Sequence, residues 1–208
     1  MNLIRPGMGT ENASTLLSVL VQMHRPQKVL EIGAGDSTIA LARALADAVS
    51  SWAEDRRALD APEWSERTAL LDPSNVPSRY EPFLITIDDF SGEGTSAELA
   101  WSRLRAAGIQ PNTVKFIEQD FFTIPDDAWK AWGPLDLVWI DAVTPADDIR
   151  FVAQTWDKVR PGGYLVLHEP KMLTTVNRSL QTVLEKVRSP LWEELSSRVG
   201  EDFELITL

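Results

Sequence analysis

Residues Val29–Thr38 read VLEIGAGDST: three apolar positions around one acid, then two glycines a residue apart, then a polar helix opening. Lys28–Gly33 is a short apolar run of strand length that ends in glycine. From Asp36 to Ser50, Ile39, Ala42, Ala46 and Val49 recur at steps of three and four, which is the stripe of an amphipathic helix. Strand, glycine turn and helix in that order make the first half of a βαβ unit. Gly33 and Gly35 let the backbone approach a ligand closely, and a helix start presents N–H groups to it.

The same rhythm runs through the rest of the chain. FLITID (Phe83–Asp88), VKFIEQD (Val114–Asp120), LDLVWID (Leu135–Asp141), YLVLHE (Tyr164–Glu169) and FELITL (Phe203–Leu208) are further strand-like runs. Helical stripes lie between them: Ile149, Val152, Trp156 and Val159, then Leu173, Val176, Leu180, Val183 and Val187. A weaker helix, Thr95–Ala107, is closed by Gly108, and an amphipathic helix over roughly Glu11–His24 precedes the first strand. Strands that alternate with helices predict an α/β fold, doubly wound, with a mostly parallel sheet and helices on both faces. The near-continuous apolar character of the strands says that both faces are covered. Lys171–Val199 reads as helix, broken at Ser189-Pro190.

The 208 residues fit one domain spanning 1–208, with residues 1–27 as a helical lead-in. Residues 51–81 break the rhythm with many charges and with Pro62, Pro73 and Pro77, where a short loop is expected. They read as an insertion, either a solvated excursion or a lid or substrate wall, with a short helix around Glu63–Leu71. The absence of cysteine rules out a disulfide scaffold and a thiolate metal site. No signal peptide and no membrane span are read, so a cytoplasmic location is expected. A net charge of −11 argues against a nucleic-acid partner and suits a cationic small molecule. Eight tryptophans are many for this length and could be core, interface or substrate wall.

In an open α/β sheet, ligands bind beyond the carboxyl ends of the strands, where the strand order reverses. Past the second run stand Asp88, Asp89 and Phe90, and a carboxylate there can accept two hydrogen bonds from a ribose diol. Past the third stand Asp120, Phe121 and Phe122, an acceptor for an exocyclic amine beside a flat apolar surface. Asp141 follows the fourth run, and His168 and Glu169 end the fifth. Five acidic strand ends along one edge point to a shared site rather than to five unrelated surface carboxylates. A dinucleotide is the first candidate ligand, but the third glycine of that fingerprint is Thr38 here, and Asp88 lies 55 positions beyond Gly33 instead of ~20.

VLEIGAGDST resembles motif I of class I S-adenosylmethionine-dependent methyltransferases, and the other motifs follow in that family's order. ITIDD (Ile85–Asp89) resembles the ribose-binding acidic loop and EQDFFTIP (Glu118–Pro125) the adenine-reading loop. LDLVWIDA (Leu135–Ala142) resembles motif IV, and VRPGGYLVLHE (Val159–Glu169) the turn and strand after it. The likeness is greatest to small-molecule O-methyltransferases of the catechol O-methyltransferase type, which also carry a lead-in like Gly7-Met8-Gly9-Thr10-Glu11. It implies a Rossmann-like fold and S-adenosyl-L-methionine as cofactor. Glu31, Gly33 and Gly35 would frame the methionine portion and Asp88 would bind the ribose hydroxyls, with Asp36, Ser37, Asp89 and Asp141 also at the cofactor. Asp120 would take the adenine amine, with Phe121 or Phe90 against the ring. The family usually adds two strands after the fifth; only Phe203–Leu208 is found here, so the C-terminal antiparallel strand is expected to be missing and a homodimer could fill its slot.

Methyl transfer to a hydroxyl or a protonated amine needs a base. His24 reads as a surface residue, and His168 is the candidate base, with Asp141 as second base or orienter. Metal-dependent members have Asp-Asn where this chain has His168-Glu169. Asp141, His168 and Glu169 could hold a divalent cation, but histidine is a poor magnesium ligand, so no metal is expected. The expected reaction is methyl transfer to oxygen or nitrogen of a small metabolite or peptide. The alternatives are a non-catalytic cofactor-fold subunit and, further off, a nucleotide-dependent oxidoreductase.

Overall fold

The computed structural model describes residues 10–61, 76–91, 96–109, 113–142, 147–168, 171–178, 181–188 and 190–198. In chain order its elements are α1 (Thr10–His24), β1 (Lys28–Ile32), α2 (Asp36–Asp60), β2 (Phe83–Asp88), α3 (Ser96–Ala106) and β3 (Val114–Glu118). There follow α4 (Asp126–Trp132), β4 (Leu135–Ile140), α5 (Asp148–Thr155), β5 (Val159–Leu167), β6 (Lys171–Arg178), β7 (Gln181–Arg188) and α6 (Pro190–Arg198). β1 to β5 form one sheet in the order β3-β2-β1-β4-β5, and every pairing in it is parallel. The order reverses between β1 and β4, which makes that pair the topological switch.

Strand alternation sorts the core into two layers. Val29, Leu84, Leu137 and Trp139 face one side, where they meet Leu17 and Val21 of α1, Ile39, Leu41 and Leu45 of α2, and Leu104 of α3. Leu30, Ile32, Ile85, Ile87, Val138 and Ile140 face the other, against Trp129 and Trp132 of α4, Phe151 and Val152 of α5, and Leu191 and Leu195 of α6. The fold is therefore the doubly wound α/β form that the sequence predicts. Trp129, Trp132 and Trp139 are core residues.

Several local readings are corrected. α2 does not stop near Ser50 but runs on to Asp60, into the range read as an insertion. Residues 51–60 contain no helix breaker, Arg56 and Asp60 pair one turn apart, and the Trp52 indole N–H donates to the Pro77 carbonyl at 2.7 Å. The short helix expected at Glu63–Leu71 lies outside the described residues. β5 starts at Val159 rather than Tyr164, with a register shift against β4 between Leu135 and Leu137. His24 lies at the surface as read, its ring edge-on to the exposed Tyr164 at 4.8 Å.

The largest correction concerns Lys171–Arg188. It is not helical but an antiparallel hairpin, β6 with β7, in full register from Lys171↔Arg188 to Arg178↔Gln181. Thr174, Thr175, Val176, Thr182, Val183 and Val187 explain the outcome, because β-branched side chains lose rotamers on a helix and suit a pleated strand. The hairpin is a separate two-stranded sheet, so the main sheet has no antiparallel strand among the described residues. Phe203–Leu208 lies outside them.

Candidate functional site at the carboxyl edge of the sheet

One hydrogen bond past each strand end keeps the sheet's edge in line. Gly33 donates to the Ile87 carbonyl at 2.9 Å, Asp141 to Ile32 at 2.9 Å, His168 to Ile140 at 2.9 Å, and Gln119 to Asp88 at 3.0 Å. The structure thus brings Asp88, Gly33, Asp141 and His168 to one edge, across the switch point, with Asp120 at its outer end beyond β3. Gly33 has φ +90°, and a Cβ there would overlap the carbonyl oxygen of Asp141. Only glycine lets the β1 turn lie this close to the end of β4.

Asp88 anchors the glycine turn. One oxygen accepts the Ala34 N–H at 2.8 Å and the other the Phe90 N–H at 2.8 Å. The carboxylate is held in place, with a second lone pair on each oxygen. Asp89 turns away to accept the Ser91 N–H at 3.0 Å, a bond that holds its carboxyl below the usual range. Asp120 caps the short turn Phe121–Thr123 by accepting the Phe122 N–H at 2.9 Å.

Phe121 is corrected: it is a core residue, edge-on to Phe122, Trp129 and Phe151 at 5.3–5.6 Å, and offers no face to a ligand. Phe90, also at a positive φ of 55°, is the aromatic left at the edge. Asp36 is buried and paired with Arg103 of α3 at 2.6 Å, so it pins α3 to the start of α2. Gly35 donates to the Thr38 hydroxyl at 2.9 Å, which closes the turn into α2.

Glu31 is fully buried on β1. Its Oε1 accepts the Ser37 hydroxyl at 2.7 Å, and its Oε2 has no partner. Burial pushes its carboxyl up to about 7 against the pull of the Thr38, Ser37 and Thr86 hydroxyls, and the charge of Asp141 adds to the rise. Across the switch, His168 Nδ1 and Asp141 Oδ1 are 2.9 Å apart, both partly exposed. The indole of Trp139 lies beside the His168 ring, 5.6 Å between centroids.

Asp148, at the start of α5, is a residue that sequence reasoning missed. It is buried, its Oδ2 has no partner, and burial, then the charges of Asp147 and Asp141, push it up to about 6. Its only sequence signal is an acid at a helix N-terminus, which reads as solvated. Among the described residues no three histidine or acidic side chains are grouped to hold a metal ion. Glu169 lies outside those residues. No helix among them is long and apolar enough to cross a membrane.

Comparison with known proteins gives a family model described as a methyltransferase domain, which matches residues 30–169. No curated protein matches the chain. Among solved structures, the O-methyltransferase TomG from Streptomyces achromogenes, involved in tomaymycin synthesis and in complex with SAM, is similar at 25% identity and a TM-score of 0.45, over 75% of this chain and 54% of that one. An O-methyltransferase from Bacillus cereus in complex with SAH is similar at 19% identity and a TM-score of 0.45, over 79% of this chain and 56% of that one. The chain therefore spans little more than half the length of these proteins. The family match starts in β1, takes in all five parallel strands and ends just past β5. The motif order read in the sequence and the family model agree: the chain belongs to the methyltransferase-domain family.

Proposed function

We propose that the chain binds S-adenosyl-L-methionine at the carboxyl edge of β1, β2 and β4 and transfers its methyl group to an oxygen, or a nitrogen, of a small metabolite or peptide. The Asp141–His168 pair at 2.9 Å carries this reading, because it places a base and its orienter beside the glycine turn. The residues present fit the cofactor. The Gly33 turn is built by close packing on β4, Glu31 keeps an unpartnered buried oxygen below it, and Asp88 and Asp141 make the edge negative. When bound, the cofactor supplies an electrophilic methyl on a positively charged sulfur.

The chain's own groups do the rest. Asp88, already fixed by two backbone N–H groups, accepts the ribose hydroxyls through its remaining lone pairs. Asp120 takes the adenine amine, and Phe90 takes the role against the ring that Phe121 cannot fill. Asp141 accepts the Nδ1 proton of His168 and fixes its tautomer, which leaves the basic lone pair on Nε2. Nε2 then removes the proton of the acceptor hydroxyl or ammonium as the methyl is transferred. Holding nucleophile, methyl and sulfur in line supplies most of the remaining rate. The charge of −11 supports a small or cationic acceptor over nucleic acid, and the absence of cysteine fits a reducing compartment such as the cytoplasm.

Calorimetry with the cofactor and its demethylated product tests the binding, and wild-type protein that binds neither would end this reading. His168→Ala should lower kcat by ~10² or more with cofactor affinity nearly intact. Activity abolished by a chelator and restored by magnesium would move the chemistry from His168 to a metal at Asp141.

A further inference from the structure

Under the glycine turn, three strands set polar side chains in one row. Glu31 is level with Thr86 of β2 on one side and with Trp139 of β4 on the other. All three are closed off from solvent; the Thr86 hydroxyl faces the Glu31 carboxyl and pulls against its rise, and Trp139 Nε1 has no partner. A buried ionised carboxylate needs a cation or several donors. The groups around Glu31 offer few. α2 contributes the hydroxyls of Ser37 and Thr38 and the positive end of its dipole. β2 contributes Thr86. β4 contributes Trp139 and, past its end, the like charge of Asp141. Beyond Trp139, β5 brings His168, which is bonded to Asp141. At the same helix end, the guanidinium of Arg103 is paired with Asp36, not with Glu31.

Resting on the cofactor reading above, we propose that Glu31 is a proton-exchanging group of the cofactor site, protonated in the ligand-free protein and ionised when a positively charged sulfonium is bound above it. On binding, the carboxyl O–H bond breaks, the proton leaves to water, and the carboxylate remains as counter-charge to the sulfonium. The neutral sulfur of the demethylated product gives no such drive, so Glu31 keeps its proton. The site thereby distinguishes cofactor from product by charge, through a residue that solvent does not reach. The raised carboxyl, near 7, sits where a neighbouring positive charge shifts most of its population.

The test is calorimetric titration of wild type and Glu31→Gln with S-adenosylmethionine and with S-adenosylhomocysteine, at about pH 6.5, below the range of the ligands' own amines. Each titration is run in phosphate and in Bis-Tris, which both buffer at this pH and whose ionisation heats differ. The wild type should release roughly half a proton or more with the sulfonium ligand and close to none with the thioether. Glu31→Gln should still bind both and lose the release. Equal release with the two ligands, or release unchanged in Glu31→Gln, overturns the proposal while leaving the methyltransferase reading intact. Failure of the wild type to bind either ligand removes both. Should the variant not fold, the wild type alone decides. Its preference for sulfonium over thioether should rise with pH, by up to ~10-fold per unit through the range in which Glu31 titrates, and a flat preference overturns the proposal.

Discussion

At Gly33 the backbone already has φ +90°, and an added methyl would overlap the carbonyl oxygen of Asp141. Gly33→Ala combines backbone strain with overpacking, each worth ~1–3 kcal/mol, and should destabilise the fold by about 2–4 kcal/mol in urea unfolding. A loss below about 1 kcal/mol would mean that the β1 turn is not packed on β4 as described. Glu31 makes a second prediction at this scale. Its carboxyl titrates near 7 in the folded protein against 4.5 when exposed, so between those values the folded state holds more protons than the unfolded one. Stability from this group is therefore complete below about pH 4.5 and falls as pH rises toward 7, by up to about 3 kcal/mol. Glu31→Gln should flatten that part of the stability profile, and a slope identical to wild type in denaturation between pH 5 and 7 would show that Glu31 ionises freely.

Elements are tied together at the opposite end of the sheet by one carboxylate. Asp136, at the start of β4, accepts the N–H groups of Gln27 at 2.9 Å and Lys28 at 2.7 Å and pairs with Arg160 of β5. Three elements thus share one buried side chain: the α1–β1 link, β4 and β5. Asp136→Ala strips two backbone donors and a guanidinium of their partner together, and should cost about 2–4 kcal/mol. It should do so without altering cofactor affinity, since the site is at the other end of the strands; a variant that loses binding but not stability would contradict this division. His24, at the end of α1, packs against Tyr164 beside the same cluster, while Leu17 and Val21 hold α1 in the core against α2.

On the scale of the whole molecule, the five-stranded sheet and the β6–β7 hairpin have unequal support. β1, β2 and β4 are covered on both faces, whereas β6 and β7 form a separate two-stranded sheet. A two-stranded hairpin is marginal alone. Hydrogen exchange should accordingly show Leu30, Ile85 and Val138 opening only with global unfolding, and the amides of β6 and β7 exchanging through a local step well below it. Equal protection in the two regions would mean that the hairpin is held by contacts beyond its own pair. Asp88 and Asp141 stand at one edge with Asp148 near it, so their carboxyls face the side from which a cationic cofactor would approach.

What the sequence determines by itself is whatever depends on near neighbours. The apolar runs at Lys28–Gly33 and Leu135–Asp141, the stripe of α2 and the Gly33 turn are readable because strand and helix periods are local, and βαβ handedness then restricts the sheet to few arrangements. The tertiary structure alone decides the rest. Lys171–Arg188 carries a helical stripe along with its β-branched residues, and the pairing of β6 with β7 selects the hairpin over the helix. Phe121 and Phe122 are equivalent in sequence, and only the packing of α4 and α5 turns Phe121 inward. The partner of Asp36 is Arg103, on another helix, and the neighbours of Glu31 come from β2 and β4. Glu31 and Asp148 are charged letters in the sequence, and burial makes them weak acids because low-dielectric surroundings disfavour the ionised form. That environment exists only once distant segments have closed around them.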